Sequence, residues 1–533
     1  MRIKLSKVGR QTSFYLLAGV LVFAGAFVSK PVSAQAATIT LNSLQLITKG
    51  ASGTGGNEVS DSPSINADGT EIAFVSSAVD LAPGIETDGS LQVYLYNTKT
   101  RVTILVSESP ISHGGCDGSC NEATISADGT KIVFNSLADN LIPGVGSRKH
   151  LNLYLYDIKS KTITLVTPGS RGKGVNNDAY SSAINADGTK IAYASQFTDQ
   201  SGYADDSLCL YDVRTKTTKV IVPDSASAPS ISADGSKIAF ASSATNLIPG
   251  MTTNNNSNIF LYDSADNTFT LITKGASGKG GNSGSMFAAI SADGSKVAFS
   301  SQASDLVPGS RSNSHYNFYL HDIGSKKTTL ITKGSSGKGG NADMTDVPSL
   351  SADGRVVAFD SPATDLISGT KSNIGYRQIY LYDALNQEIK LIAPSIDSKK
   401  GYILAPPMLS SNGTELVFSS EASDLIPRIT ANGNSQIYLA SLTVPAVPQG
   451  TTAVSQSGST GSMGSESTSA TSTEAAGITG THTAAPKASK NQSSLPTTGD
   501  VLKYVVPGVI LVLVAAGVLI YFQRRKQRAQ PRR

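Results

Sequence analysis

Seven copies of one short block constrain this chain more than any other feature. The unit is plainest in residues 288–341, where four apolar segments follow one another. Ala288–Ser291 runs into the turn Ala292-Asp293-Gly294, and Lys296–Ser301 follows; after a loop come Phe318–Asp322, a second turn and Thr328–Thr332. Segments of four to six residues rich in Ile, Val, Phe, Tyr and Thr, punctuated by Asp-Gly or Gly-Ser, read as antiparallel strands. The turn glycine recurs at Gly69, Gly129, Gly188, Gly235, Gly294, Gly354 and Gly413. Five residues after each stands an aromatic: Phe74, Phe134, Tyr193, Phe240, Phe299, Phe359 and Phe418. The third strand repeats as VYLYN, LYLYD, LCLYD, IFLYD, FYLHD, IYLYD and IYLAS, beginning at Val93, Leu153, Leu208, Ile259, Phe318, Ile379 and Ile437.

Four strands in about 50–60 residues is the size of one β-propeller blade. The expected fold class is therefore all-β, a seven-bladed β-propeller of four-stranded antiparallel blades over residues 38–442. The ends of the array are complementary. Leu46–Asn57 reads LITKGASGTGGN and Leu271–Asn282 reads LITKGASGKGGN, so the array opens with a fourth strand. The seventh copy stops after Ile437–Ser441 without one. Leu44–Thr48 is expected to complete the last blade as a Velcro strand, removing the exposed edges of an open array. Successive apolar residues such as Val297, Ala298 and Phe299 fit blades packed on both faces, with the repeated aromatic filling the space between them.

Outside the repeats the composition changes. Arg2, Lys4, Lys7 and Arg10 precede the apolar run Phe14–Val28 and a small-residue site, Val32-Ser33-Ala34 or Ala34-Gln35-Ala36. Residues 1–36 thus read as a secretory signal, with a retained N-terminal membrane helix as the alternative. Residues 443–494 read as a Ser/Thr/Gly/Ala-rich disordered stalk, open to glycosylation. Then come Leu495-Pro496-Thr497-Thr498-Gly499, an apolar run at 504–522 long enough to cross a bilayer, and a basic cytoplasmic tail at 523–533. The net charge of +4 conceals these ends: five basic groups before residue 35 and a net six after residue 499 leave the middle near −7. A mildly acidic body argues against a nucleic-acid partner.

The block Ser-Ala-Asp-Gly-(Thr/Ser)-Lys-Ile-Ala-Phe, followed by Ile-Tyr-Leu-Tyr-Asp, resembles the TolB-type (PD40, WD40-like) propeller repeat of bacteria over roughly residues 38–442. That family often has Trp before the turn and Ser-Pro-Asp-Gly within it; this chain has no Trp and uses Ala at most of those turns. The C-terminal order of pentapeptide, apolar span and basic tail resembles an LPXTG sorting signal. The resemblance implies cleavage by a sortase between Thr498 and Gly499 and attachment of Thr498 to the cell wall of a Gram-positive-type bacterium. The alternative is an ordinary single-pass anchor; either way the propeller faces outward.

Candidate chemistry is sparse. The loop Gly275-Ala276-Ser277-Gly278-Lys279-Gly280-Gly281-Asn282 lacks phosphate-loop spacing, no helix pattern follows it, and it recurs at Lys49–Asn57 and Lys333–Asn341; it reads as a flexible connection between blades. Lys173, Lys279 and Lys338 could form a basic ring there. Ser-Ala-Asp-Gly-Thr differs in spacing from the Asp-box of sialidase propellers, and its Asp is expected to cap the hairpin turn. His113, His150, His315, His321 and His482 are scattered, and no catalytic constellation emerges, so no catalytic residue is assigned. The oxygen-rich runs Thr252–Asn258 and Asp205-Asp206 leave calcium open, with no cofactor otherwise expected. His113, Cys116 and Cys120 could supply three zinc ligands, but a fourth is missing; in an oxidising exterior Cys116 and Cys120 are the disulfide candidates. Cys209 reads as a buried free thiol.

Tight turns join the first strand to the second and the third to the fourth, while the other two connections are long, as in Gln302–Asn317 and Lys333–Val347. Long loops on a rigid scaffold are the usual place for binding. The expected function is a monomeric surface binding or adhesion module acting through that long-loop face on a protein or glycan. The alternatives are a structural envelope scaffold and a surface glycan hydrolase or lyase.

Overall fold

A computed structural model describes residues 38–146, 150–167, 178–198, 204–309, 314–368, 377–393, 405–422, 425–427 and 433–446. The signal segment, most of the stalk, Leu495–Gly499, the apolar run and the basic tail lie outside the described residues. Seven four-stranded antiparallel sheets make up the described chain, with no helix among the described residues. We letter the strands a to d within each sheet. In the fifth blade they are Ser285–Ile290, Lys296–Ser301, Asn317–Asp322 and Lys327–Leu330. The seventh sheet combines Met408–Leu409, Glu415–Ser420 and Gln436–Thr443 with the N-terminal strand Thr40–Leu46, which pairs antiparallel with Gln436–Thr443.

Strand a begins earlier than the sequence pattern suggests. In five blades it carries a bulge whose residue sits at positive φ: Ser62, Glu122, Ser181, Ala228 and Phe287, at 49–57°. The extra residue breaks the apolar alternation, so it and the two strand residues before it do not look like strand in the sequence.

The repeated aromatic works both across strands and between blades. Phe299 stacks on Tyr319 directly opposite it, with ring centroids 5.7 Å apart, and Phe74–Tyr94, Phe134–Tyr154, Phe359–Tyr380 and Phe418–Tyr438 repeat the pair. Phe134 also packs among Ala73, Val93 and Leu95 of the preceding blade. In the third blade Cys209 faces Tyr193 in place of the second ring; it is a free, buried thiol whose pKa burial pushes up to about 11.

At the axis the a–b turns join in a ring. Their glycines all adopt positive φ, from 64° to 73°. The backbone N–H of Ala67 donates to the carbonyl of Ala127, Asp128 to Ala186, Ala186 to Ala233, Ala233 to Ala292, Asp293 to Ala352, Ala352 to Ser411, and Ser411 back to Ala67, all at 2.8–3.1 Å. The Ala side chains cluster inside this ring. Proline, which the family pattern carries at this position, has no N–H to give. The absence of proline here thus has a structural reason. Ala233→Pro should lower the unfolding free energy by about 1–3 kcal/mol, the cost of an orphaned buried acceptor. Ala233→Ser, copying Ser411, should change it by less than about 0.5 kcal/mol; denaturant unfolding compares the two.

Candidate functional site

Strand a is the edge strand of each sheet opposite d, and its copies pack on one another around the axis. Bonds link neighbouring copies: the N–H of Ile125 donates to Ser64 Oγ, that of Ile290 to Ser230 Oγ and that of Leu409 to Ser349 Oγ. At the end away from the alanine ring, one residue per blade just before the bulge position lines the axis. By register these are Asp61, Asn121, Tyr180, Ser227, Met286, Asp346 and Ala405. The first six are half-buried while the residues after them in the strand are buried.

Two of these are carboxylates, Asp61 in blade 1 and Asp346 in blade 6, and the charge of Asp61 acts on Asp346. Asp346 and Asp360 both pair with Arg377, which precedes strand c of blade 6, and Arg377 Nη1 donates to Thr345 Oγ1 at 3.2 Å. Asp360 is 1% exposed, Asp346 15% and Arg377 21%, so the cluster is a recess that water reaches from one side. Asp360 Oδ1 is buried without a hydrogen-bond partner among the described residues. Burial, then the Asp360 charge, pushes Asp346 up to about 7, with Asp61 adding to the effect. Burial likewise raises Asp61, and the two carboxylates hold Arg377 in its charged form.

Two further carboxylates stand beside residues of this wall. Glu122, at a bulge position, is buried, accepts the N–H of Ser181 at 2.9 Å and is pushed by burial up to about 8. Tyr180 donates its hydroxyl to Asp206, and burial first, then that carboxylate, raises its pKa. Such an arrangement can hold a cation: one guanidinium balances one of three carboxylates, and a second carboxylate surrenders its proton when positive charge arrives.

The residues singled out in the sequence lie elsewhere. Cys116 and Cys120 are buried with their sulfurs in contact, their Cα atoms 6.9 Å apart. Both are departures from the repeat. Cys116 gives its N–H to Gln92 as Gly281 does to Asn258, and Cys120 meets Ser136 as Ser285 meets Ser301. His150 and His315 each face one carboxylate, Asp178 and Asp343, at 3.4 and 3.3 Å near the long-loop rim. Among the described residues no group of three or more His, Cys, Asp or Glu is placed to hold a metal. The amides of Asn254 and Asn256, in the oxygen-rich run, donate to the carbonyls of Gly280 and Gly281.

The Gly-rich loops are built structure, which corrects their reading as flexible connections. Lys274 bridges Gly280, and Lys49–Gly55 and Lys333–Gly339 do the same. The N–H of Asn282 then docks on Asp305, as Asn57 does on Asp80 and Asn341 on Asp365. A Cβ on Gly275 would come within 2.2 Å of the Asp305 carboxylate, so the glycine is required by close approach. Sequence reasoning missed Asp61, Asp346, Asp360 and Arg377. The available signal was the residue after the blade aromatic, Val75, Asn135, Ala194, Ala241, Ser300, Asp360 and Ser419, where only Asp360 is charged.

No family model matches this chain, and no curated protein matches it. Solved structures do. An acylaminoacyl peptidase in complex with a chloromethyl ketone aligns at TM-score 0.44 and 14% identity, covering 72% of this chain and 51% of that one. The β-propeller domain of the Trilobed protease from Pyrococcus furiosus aligns at 0.44 and 15%, covering 72% and 95%. A Mycobacterium tuberculosis puromycin-hydrolyzing peptidase aligns at 0.43 and 12%, covering 75% and 56%. This chain thus spans about half the length of the first of these. The likeness is one of fold: a seven-bladed propeller. It also corrects the expected function. The structures named above are peptidases and a protease propeller, and the Gly-rich loops of the face expected to bind are tied down by the contacts above. The adhesion reading is withdrawn.

The acidic cluster has a stability signature. Asp346 titrates near 3.8 when unfolded and near 7 when folded. Between those values the native state keeps a proton that the unfolded state has lost, so stability falls as pH rises, by at most about 1.4 kcal/mol per unit. Asp346→Asn should gain on the parent protein from pH 4 to 7 and hold a constant difference above that, read by urea unfolding at pH 4.5, 6 and 7.5.

Proposed function

We propose that the propeller of this chain captures a cationic, amine-bearing ligand at the acidic mouth of its axis. The observation that carries the reading is the pairing of Asp346 and Asp360 with the single cation Arg377, where the charge of Asp61 also raises Asp346. They meet at the solvent-reachable end of an axis whose other end carries the alanine ring. An ammonium group entering the recess would pair with Asp346 and Asp61 and take up the charge that Arg377 leaves unbalanced. The reading is one of binding without turnover: the carboxylates pair with a guanidinium, and no nucleophile is assigned beside them.

The basic, apolar N-terminal segment and Leu495–Gly499 with the segments after it support export and tethering, by sortase attachment or by a retained span. The way the chain leaves the disc supports the orientation. Strand c of blade 7 runs toward the tight-turn side, and Arg355 in the a–b turn of blade 6 donates to the carbonyl of Pro445 at 2.5 Å while pairing with Asp383 at 3.1 Å. Every other blade carries Thr or Ser at this position, as in Thr130, Ser236 and Ser295. The tether therefore departs from the face opposite the recess. We also read the pairing of Thr40–Leu46 with blade 7 as the closure of the ring, which holds blades 6 and 1 at the spacing the recess needs.

Titration calorimetry with spermidine and with a Lys-Gly-Gly tripeptide, against its N-acetylated, lysine-acetylated form, tests the reading. The amine forms should bind, more tightly as pH rises through 7 by up to tenfold per unit, with proton release. Asp346→Asn should weaken binding at least tenfold at pH 8 and remove the pH dependence. Equal binding of acetylated and free forms would sink the proposal.

A further inference from the structure

A second recess lies on the rim of the molecule, where the N-terminal strand meets blade 1. Its volume is about 430 Å³, within the range of small-ligand sites. Ile47, Leu81 and Tyr96 form a buried apolar floor, while Val102 is 51% exposed at the edge. Lys49 and Arg101 stand at the lip, no acid lines the recess, and neither cation has an ion pair among the described residues. Gln45 Nε2 donates to the Tyr96 hydroxyl at 3.3 Å.

The seam between blades 3 and 4 provides an internal comparison. By register Lys219 there occupies the place of Gln45, Tyr262 that of Tyr96, and Asn267 that of Arg101. Lys219 Nζ donates to the Tyr262 hydroxyl at 2.8 Å and to Asn267 Oδ1 at 2.9 Å, and sits 5.4 Å from the Tyr262 ring centroid. The cation at that seam is thus satisfied within the protein. At the seam with the N-terminal strand the two residue types are exchanged. The amide is on the strand, the cation is on the turn, and the space is open.

The geometry points to a binding site for a small apolar carboxylate at this seam. Arg101 and Lys49 would take the carboxylate, and Tyr96, Leu81 and Val102 the apolar body. Guanidinium is suited to planar, two-point recognition of a carboxylate, and an apolar floor beside it selects against small hydrophilic anions. The site is independent of the axial recess.

The test is calorimetry on the full chain with N-acetyl-Leu-Leu, its C-terminal amide and decanoate. The free acid should bind and the amide at least tenfold more weakly; decanoate binding with similar affinity would mark the site as one for apolar carboxylates at large, and its failure would restrict it to peptide ends. The exchange Gln45→Lys with Arg101→Asn rebuilds the satisfied seam of blades 3 and 4. It keeps a residue type that tolerates the positive φ of Arg101, 59°. It should cost at least tenfold in affinity with unchanged far-ultraviolet circular dichroism. Should the pair misfold, Lys49→Gln alone should still cost about threefold or more. No binding of either acid, equal binding of acid and amide, or full affinity in a folded exchange variant would overturn the proposal.

Discussion

The molecule depends on making seven wedges meet at one point. Sheets that splay outward leave room for large side chains at the rim and almost none at the axis. There the a–b turns must approach closely enough for one backbone to bond the next. Alanine at six of the seven turns of the ring, with a positive-φ glycine two residues on, meets both demands. A larger side chain would push the ring apart, and proline would remove the donor. The ring in turn fixes the spacing of the a strands, and with it which side chains can meet further along the axis.

Everything that repeats was legible before the structure, because repetition averages out the weakness of any single signal. The turn glycines, the aromatics and the third strands each appear seven times, and the sheets follow them. What was not legible is what the bulge hides. Ser62, Glu122, Ser181, Ala228 and Phe287 share a backbone conformation but no chemistry, so a motif search passes over them. Asp61 sits one residue before that position, in a segment whose alternation the bulge has broken, and Asp346 holds the matching place in blade 6, four residues before Leu350. They are 285 positions apart in the chain, and only the circular arrangement brings them near each other. The Gly-rich loops failed for a different reason. Composition alone made them look loose, but the partners that hold them, Asp80, Asp305 and Asp365, lie in the next long loop.

Cysteine chemistry illustrates how far a repeat can be read residue by residue. At Asn57, Asn282 and Asn341 the backbone N–H meets an Asp, whereas at Asp117 it meets Asn140, so the pair of residue types is exchanged in blade 2. The same blade alone replaces the neighbouring Gly and Ser with Cys116 and Cys120 and carries Glu122 at the bulge. Three departures within seven residues mark that blade as specialised, although its fold is the common one.

That pattern locates function in a repeat protein. A position that is the same in all blades serves the ring, since each copy meets the same neighbours. The turn glycines, all at positive φ, are of this kind. A position that is charged in one blade and apolar or neutral in the others has no such duty. Asp360 among Val75, Ala194 and Ala241 must be accounted for by its own surroundings, and those are Arg377 and Asp346. Arg355 departs from the Thr or Ser of every other blade and reaches the outgoing chain; Arg101 departs from Asn267 and is left facing open space. Burying a carboxylate beside two others opposes folding. A ring with seven equivalent places for an alanine or a valine has no structural need to put Asp360 there.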